Sequence, residues 1–291
     1  MASPAAHVTA FLFLFPTGLC RLFRSSSLYL QNPSLYASKS CYLSNPKYKN
    51  LHLYILCIAL PIASFSEFFL FLTLSAHPTY TFSLFHQCLS LFFFWVLLIL
   101  FISREFLDPS AINDGLLFVY AAIAFLVEYS AIGKGVAHFG VGGVVYDLLG
   151  KLTLVCAGCC FVLSLKPASF WADFVLSCGL VFKGTWVLQA GLNLYTDVFG
   201  FKGCRKITVL PSRDSADVVC DLKEDGLRGV ALVNLLFVVH AILILVLGLV
   251  VFGLLSSYKN LRCDEASGPL LAELNSESIR MLAGHADLEI E

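Results

Sequence analysis

Apolar runs of bilayer length alternate with short polar segments along this chain of 291 residues. The runs cover about residues 8–23, 51–74, 82–102, 114–132, 144–165, 170–195 and 229–255. A bilayer core needs about 20 apolar residues in a helix, and peptide groups in hydrocarbon must be bonded within their own segment. The sequence therefore predicts an all-α fold, a bundle of seven transmembrane helices in residues 1–257, with a polar, disordered cytoplasmic tail in residues 258–291.

The first apolar run is the shortest, and it has an alternative interpretation. Pro16 and Gly18 interrupt it, so it resembles a signal peptide whose cleavage would leave six helices. Its basic residues, Arg21 and Arg24, follow the run instead of preceding it, and no A-x-A cleavage site follows. We therefore interpret the run as a retained span.

The sixth run combines bilayer length with polar side chains at helical spacing. At about 100° per residue, one stripe holds Lys183, Trp186, Ala190 and Asn193. The flank beside it holds Asp173, Ser177, Gly184 and Gly191. The polar stripe must face protein or water, and small residues allow another helix to approach closely. This helix is therefore expected to lie at the centre of the bundle.

Polar side chains within the runs form a predicted intramembrane site, because such groups are costly in a bilayer and usually have a use. Its members are Glu67, Glu128, Lys183, Gln189 and His240. Lys183 lies roughly 20 Å into its helix, so its charge must be neutralised from another helix or by deprotonation. Among carboxylates on other helices, depth favours Glu67, with Glu128 the second choice. For His240, an interior hydrogen bond and a proton-relay role both stay open.

Composition identifies lipid as the first partner and gives no sign of catalysis. The chain is 58% hydrophobic and 13% charged, with a formal net charge of -1, so no basic footprint for nucleic acid is present. No catalytic triad spacing, phosphate-binding loop or dinucleotide fingerprint occurs, so neither an enzyme nor a cofactor is predicted. Cys156, Cys159 and Cys160 lack a second pair or a nearby His, so they are expected to pack and to bind no metal. Self-association stays open.

Charge in the connections predicts the orientation of the chain. With the N-terminus outside, more Lys and Arg residues face the cytosol than the opposite side. In this orientation Cys204 and Cys220 face an oxidising compartment, so we expect a Cys204–Cys220 disulfide. The sequence thus predicts an outside or lumenal N-terminus and a cytoplasmic C-terminus.

The run KGTWVLQAGLNLY at 183–195 resembles the G-T-W-x-x-Q-x-G signature of the transmembrane protein 45 family, also called domain of unknown function 716, and most closely its plant branch. The matching residues are Gly184, Thr185, Trp186, Gln189 and Gly191. Further similar segments are AFLVE ending at Glu128, LLFVVH ending at His240, KGC at 202–204, CDL at 220–222 and SESIRM at 276–281, together with the position of Glu67. Lys183 departs from the Gln that is common in relatives, and the connection around His138 lacks their cluster of His.

The resemblance implies a multi-pass membrane protein, often of endomembranes, with no agreed biochemical activity. If the His cluster binds a metal in relatives, this chain is expected to lack that site. A non-catalytic membrane organiser or trafficking component is the favoured function. The alternative is a proton- or ion-coupled transporter or channel that uses the intramembrane carboxylates with Lys183 and His240, and an intramembrane enzyme ranks third.

Overall fold

The structure, a computed structural model, describes residues 4–40, 51–73, 78–106, 113–134, 141–196, 203–208 and 216–286. These ranges form helices α1 (Pro4–Gln31), α2 (Leu51–Thr73), α3 (Pro78–Phe106), α4 (Asp114–Lys134), α5 (Val141–Leu165), α6 (Phe170–Tyr195) and α7 (Lys223–Ala286). A short 3-10 turn, Pro33–Leu35, follows α1.

Six helices within the described ranges are long and apolar enough to cross a membrane, namely α1 and α3 to α7. This supports an integral, multi-pass membrane protein. The second predicted span is indeed a helix, α2, but it is not among those six, so the count of seven spans stays a prediction.

Helix bounds follow the predicted runs closely at α6 and less closely at the two ends of the chain. α6 has the predicted bounds, and α5 ends at Leu165, directly before Lys166 and Pro167, because a residue that precedes proline disfavours helix. α1 is longer than predicted and continues through Arg21 and Arg24 to Gln31. Its polar half can be helical in the bundle because Arg21 finds a buried carboxylate there.

The tail and the last loop differ from the prediction of an all-α bundle with a disordered tail. α7 continues to Ala286, in a segment rich in helix-forming Leu, Ala and Glu, so the prediction of a disordered tail is wrong through that residue. The loop before α7 contains a two-stranded antiparallel hairpin, β1 (Cys204–Thr208) and β2 (Ala216–Cys220). Cys204 lies opposite Cys220 and forms the expected disulfide with it.

α6 is the central helix, as its polar stripe predicted. In its membrane-length segment 67% of the residues are buried, compared with 6% in α7. The closest helix neighbours are α1 with α6, α4 with α5, α2 with α3, α5 with α6, and α3 with α4. One core cluster joins α5, α6 and α7 to β2 through residues such as Val145, Trp186, Val218 and Val233. A second joins α3, α4, α5 and α6, with Phe118, Cys156, Leu163 and Leu176 among its members.

The small flank of α6 is the contact surface for α1. A Cβ atom on Gly184 would lie 2.8 Å from the backbone nitrogen of Phe15, and one on Gly191 would lie 2.8 Å from the Cβ of His7. The contact is reciprocal, because a Cβ on Gly18 of α1 would lie 2.7 Å from the backbone nitrogen of Val181. These distances leave no room for a side chain, so the glycines permit the close approach of the two helices.

Candidate functional site

Buried and partly buried polar side chains of α6 contact several different elements of the chain. Asp173 binds α1 and the segment that follows α1, Lys183 binds α4, and Thr185 and Gln189 contact α7. Trp186 donates its indole N–H to the backbone oxygen of Val145 in α5 at 3.3 Å. Polar side chains of α6 therefore contact four neighbouring helices, α1, α4, α5 and α7.

Asp173 lies at the first end of α6 and has no solvent exposure. Its Oδ1 accepts a hydrogen bond from Arg21 Nε at 2.6 Å, which makes a buried ion pair between α1 and α6. Its Oδ2 accepts from the hydroxyls of Tyr36 and Ser38, both at 2.6 Å. Several donors thus satisfy the carboxylate, as a buried charge requires.

Residues Tyr36–Ser40, which we call the strap, cross this end of the bundle and bind a second carboxylate. The backbone N–H of Ser40 donates to Asp114 Oδ1 at 2.8 Å, and Arg104 binds both carboxylate oxygens of Asp114. Arg21 also donates to Ser38 Oγ and to the Ser40 carbonyl. The strap therefore connects the Arg21–Asp173 pair to the Arg104–Asp114 pair, and with it the ends of α1, α3, α4 and α6.

Lys183 and Glu128 form an ion pair near the middle of the bundle. Lys183 Nζ donates to Glu128 Oε2, and the ammonium lies 4.8 Å from the centre of the Phe125 ring. The Lys183 side chain is 1% exposed and that of Glu128 is 22% exposed. The first-choice partner, Glu67, is therefore wrong and the second choice is right. Depth could not decide between the two carboxylates, because the partner must also come from a helix that lies beside Lys183. α2, which carries Glu67, has α3 as its close neighbour instead.

His240 bridges α7 to α6 through two polar side chains. Its Nε2 lies 3.0 Å from Thr185 Oγ1, and its Nδ1 lies 3.2 Å from Gln189 Oε1. An amide oxygen only accepts, so Nδ1 donates; the Thr185 hydroxyl can donate to Nε2, which leaves a neutral imidazole. Thr185 Oγ1 also lies 3.0 Å from the carbonyl oxygens of Val181 and Phe182. If the Thr185 hydroxyl donates to one of these carbonyls instead of to Nε2, then Nε2 must donate to Thr185 Oγ1. The imidazole ring then carries a proton on each nitrogen.

The four predicted site residues whose side chains are described do not form one cluster. Lys183 meets Glu128, and Gln189 meets His240, but at 100° per residue Gln189 lies about 120° around α6 from Lys183. The side chain of Glu67 and the connection around His138 lie outside the described residues. Lys183–Glu128 and Gln189–His240 are therefore two separate contacts between helices instead of one site.

Asp147 and Lys151, four residues apart on α5, form an ion pair at 2.8 Å, and the pair is exposed. Cys156 and Cys160 are buried in the second core cluster and Cys159 packs against it, as predicted. The described residues contain no group of three or more His, Cys, Asp or Glu side chains that could hold a metal ion.

Several polar contacts were not predicted from the sequence. Arg21 and the strap were assigned to the end of a short first run and to a polar connection, so their contact with Asp173 was missed. His7 likewise lies before that run, yet its Nε2 is 3.0 Å from the Tyr146 hydroxyl. The available signal was Asp173 itself, a carboxylate in an apolar helix for which the sequence reasoning named no partner.

Comparison with known families supports the resemblance seen in the sequence. The model of the family of unknown function DUF716 matches residues 114–253. This range contains α4, α5, α6, the hairpin and the first part of α7. Glu128, the motif from Gly184 to Gly191, the disulfide and His240 all lie within it. No curated protein matches the chain. The similarity to the family of unknown function DUF716 therefore covers residues 114–253 of the chain.

Proposed function

We propose that this protein is a non-catalytic membrane organiser or trafficking component, of the type found in endomembranes and in the plant branch of its family. In this proposal the N-terminus faces the lumen or the outside, the C-terminus faces the cytosol, and neither catalysis nor a cofactor is involved. Its role is to present a fixed set of helices to the bilayer and to other membrane proteins.

The observation that carries this proposal is the use of polar groups on α6. Its buried charges, Asp173 and Lys183, are paired with charges from two other helices, α1 and α4. Breaking such a pair leaves an uncompensated buried charge and costs about 3–5 kcal/mol. Groups used in this way hold the bundle in one arrangement, which suits a scaffold.

Reconstitution of the full chain in vesicles that contain a pH-sensitive dye tests this proposal. With imposed gradients of protons, sodium, potassium and chloride, we expect the flux to equal that of protein-free vesicles. Flux that requires the protein and is coupled to pH would overturn the organiser proposal.

The trafficking part of the proposal concerns the polar tail and has its own test. A chain that ends after Lys259 keeps all the apolar runs but loses the acidic segment beyond them. We expect this truncated chain to be inserted normally and to move to a different membrane in cells. A distribution identical to that of the full chain would remove the tail from the trafficking role.

A proton-coupled transporter is the second candidate, and a specific contact favours it. His240 has acceptable hydrogen-bond partners in both its neutral and its doubly protonated form, because the Thr185 hydroxyl can reverse its donor direction. A group with two satisfied protonation states inside a bilayer can bind and release a proton. If pH-coupled flux is found, this candidate further requires that His240→Gln abolish the flux.

A further inference from the structure

All charged side chains in residues 24–50, which include the end of α1 and the connection to α2, are cationic. They are Arg24, Lys39, Lys47 and Lys49. The first Asp or Glu of the chain is Glu67. By contrast, residues 196–228, between α6 and α7, contain six acidic and six basic residues. The positive charge of residues 24–50 is therefore not balanced within that segment.

The turn between α5 and α6 marks the membrane surface at this end of the bundle. α5 ends at Leu165 and α6 begins at Phe170, and both helices are long and apolar enough to cross a membrane. The residues between them can extend only about 14 Å, so they stay at the surface where the two spans end. Lys166 therefore lies at the level of the lipid headgroups. Trp171, 60% exposed in the first turn of α6, lies where Trp is enriched in membrane proteins.

The strap fixes the basic segment at the same level. The backbone N–H of Ser38 donates to the carbonyl oxygen of Pro167 at 2.7 Å, which joins the strap to the turn between α5 and α6. Buried residues alternate with exposed ones along the strap, and Lys39 is exposed. Lys166, which is exposed as well, precedes Pro167 directly. The hydrogen bond thus brings two exposed lysines together at the membrane surface, one from each connection.

Charge and position together select the partner. The two carboxylates that the strap binds, those of Asp173 and Asp114, are each bound by an arginine as well. At headgroup level the most abundant negative groups are those of anionic phospholipids, which are concentrated in the cytoplasmic leaflet. Clusters of about four to eight Lys and Arg residues directly beside a span are typical of segments that bind these lipids. The basic segment has this composition and this position.

We propose that residues 24–50 and Lys166 form a binding surface for anionic phospholipids, in which Lys39 and Lys166 contact the headgroup and the strap holds the basic segment at the bilayer surface. The assignment to the cytoplasmic leaflet rests on the orientation given in the proposed function. Binding itself requires neither that orientation nor the organiser role.

Quenching of Trp171 fluorescence by brominated lipids tests this surface. The full chain is reconstituted in phosphatidylcholine vesicles that contain the same mole fraction of either brominated phosphatidylserine or brominated phosphatidylcholine, and the signal of a Trp171→Phe variant is subtracted. Both leaflets have the same composition, so the direction of insertion does not affect the result. We expect phosphatidylserine to associate at Trp171 about tenfold more strongly than phosphatidylcholine. Equal quenching by the two lipids would overturn the proposal.

Matched variants locate the preference on the protein. The first variant replaces four cations of the proposed surface by Gln, namely Lys39, Lys47, Lys49 and Lys166. The control replaces the same number of cations in the connection at the other end of α6, namely Lys202, Lys206, Lys223 and Arg228. The preference for phosphatidylserine must disappear in the first variant and persist in the control. A preference that survives in the first variant would contradict the assignment.

Salt provides an independent readout on the unmodified protein if the first variant does not fold. Raising the ionic strength from about 0.1 M to about 1 M shortens the Debye length from about 10 Å to about 3 Å. We expect the preference for phosphatidylserine at Trp171 to fall several-fold over this range, because it depends on charge. A preference that does not change with salt would refute an electrostatic lipid surface.

Discussion

At the scale of single residues, Lys183 is held in the bundle by what surrounds its ammonium group. The side chain is 1% exposed, and it touches a carboxylate and an aromatic ring face. Glu128 is the counterion that offsets the cost of burying the Lys183 ammonium. The two residues therefore behave as one neutral unit, and removing either one leaves the other as an uncompensated buried charge.

The first prediction concerns this unit. Lys183→Gln alone, which leaves the Glu128 carboxylate without its counterion, should lower the free energy of unfolding by about 3–5 kcal/mol. Adding Glu128→Gln should recover most of the loss, because the remaining amide groups can bond to each other. Chemical unfolding in micelles gives both values.

An exposed pair provides the control for the first prediction. Asp147→Asn with Lys151→Gln removes an ion pair whose side chains are 62% and 65% exposed, and exposed pairs contribute less than about 1 kcal/mol. If Lys183→Gln alone is as harmless as this control, the buried pair is not holding α4 to α6.

Sequence reasoning identified which residues need partners better than it identified the partners. Lys183 and His240 were recognised because a polar group in an apolar run must be satisfied. The partner of Lys183 was misjudged because depth along a helix says nothing about which helix lies beside it. Arg21 was missed for a related reason: it was assigned to the end of a short apolar run, whereas the helix continues beyond that run to Gln31.

At the scale of helices, the contact between α1 and α6 depends on the absence of side chains. Three glycines, Gly18, Gly184 and Gly191, allow the backbones to touch. The sequence revealed the small flank on α6, since the spacing of small residues is visible in one helix. It did not reveal that α1 is the partner, because small residues in one helix do not specify which helix packs there.

The second prediction compares two identical substitutions. Gly184→Ala should destabilise the protein by about 1–3 kcal/mol through overpacking, because the new methyl group meets the backbone of Phe15 at 2.8 Å. Gly158→Ala on α5 should be neutral or stabilising, because no atom lies within 4 Å of its new Cβ and alanine favours helix. Equal thermal stability of the two variants would refute a tight α1–α6 contact.

The third prediction concerns the hairpin between α6 and α7. Cys220→Ser should expose the thiol of Cys204 to a bulky, water-soluble maleimide without added reductant, whereas the unmodified protein should react there only after reduction. Cys88→Ser, which alters a free cysteine in α3, is the control and should not change this reactivity. Labelling of Cys204 in the unreduced, unmodified protein would exclude the disulfide.

The strands of this hairpin were not predicted because each has only five residues. Pieces of that length give too little alternation between polar and apolar positions to stand out from a polar loop. α6, by contrast, has more than seven helical turns, and a proline lies three residues before it. Its bounds were therefore predicted correctly.

At the scale of the whole membrane bundle, the strap contacts constrain how many times the chain crosses. Ser40 and Arg104 are bonded to the same carboxylate, that of Asp114. These two residues therefore lie at one end of the bundle, and the chain between them must cross the membrane an even number of times. The predicted seven-span arrangement, in which α2 and α3 both cross, agrees with this condition.

The fourth prediction tests this count and the orientation together. N-glycosylation acceptor sites are inserted separately into residues 41–50 and 209–215 of chains expressed in cells with a secretory pathway. Seven spans with an outside N-terminus place five crossings between the two insertions, so only the second insertion should be glycosylated. Glycosylation of both insertions would mean that α2 does not cross, and glycosylation of the first alone would reverse the orientation.

The Arg21–Asp173 contact also sets an order of events during biosynthesis. The two residues are separated by 152 positions, so at about 5–20 residues per second the ribosome makes the carboxylate roughly 8 to 30 s after the guanidinium. Throughout that interval the Arg21 guanidinium lacks its carboxylate partner on α6. The contact that fixes the second half of α1 to α6 can therefore form only after α2 to α5 have been made, although α1 precedes them in the chain.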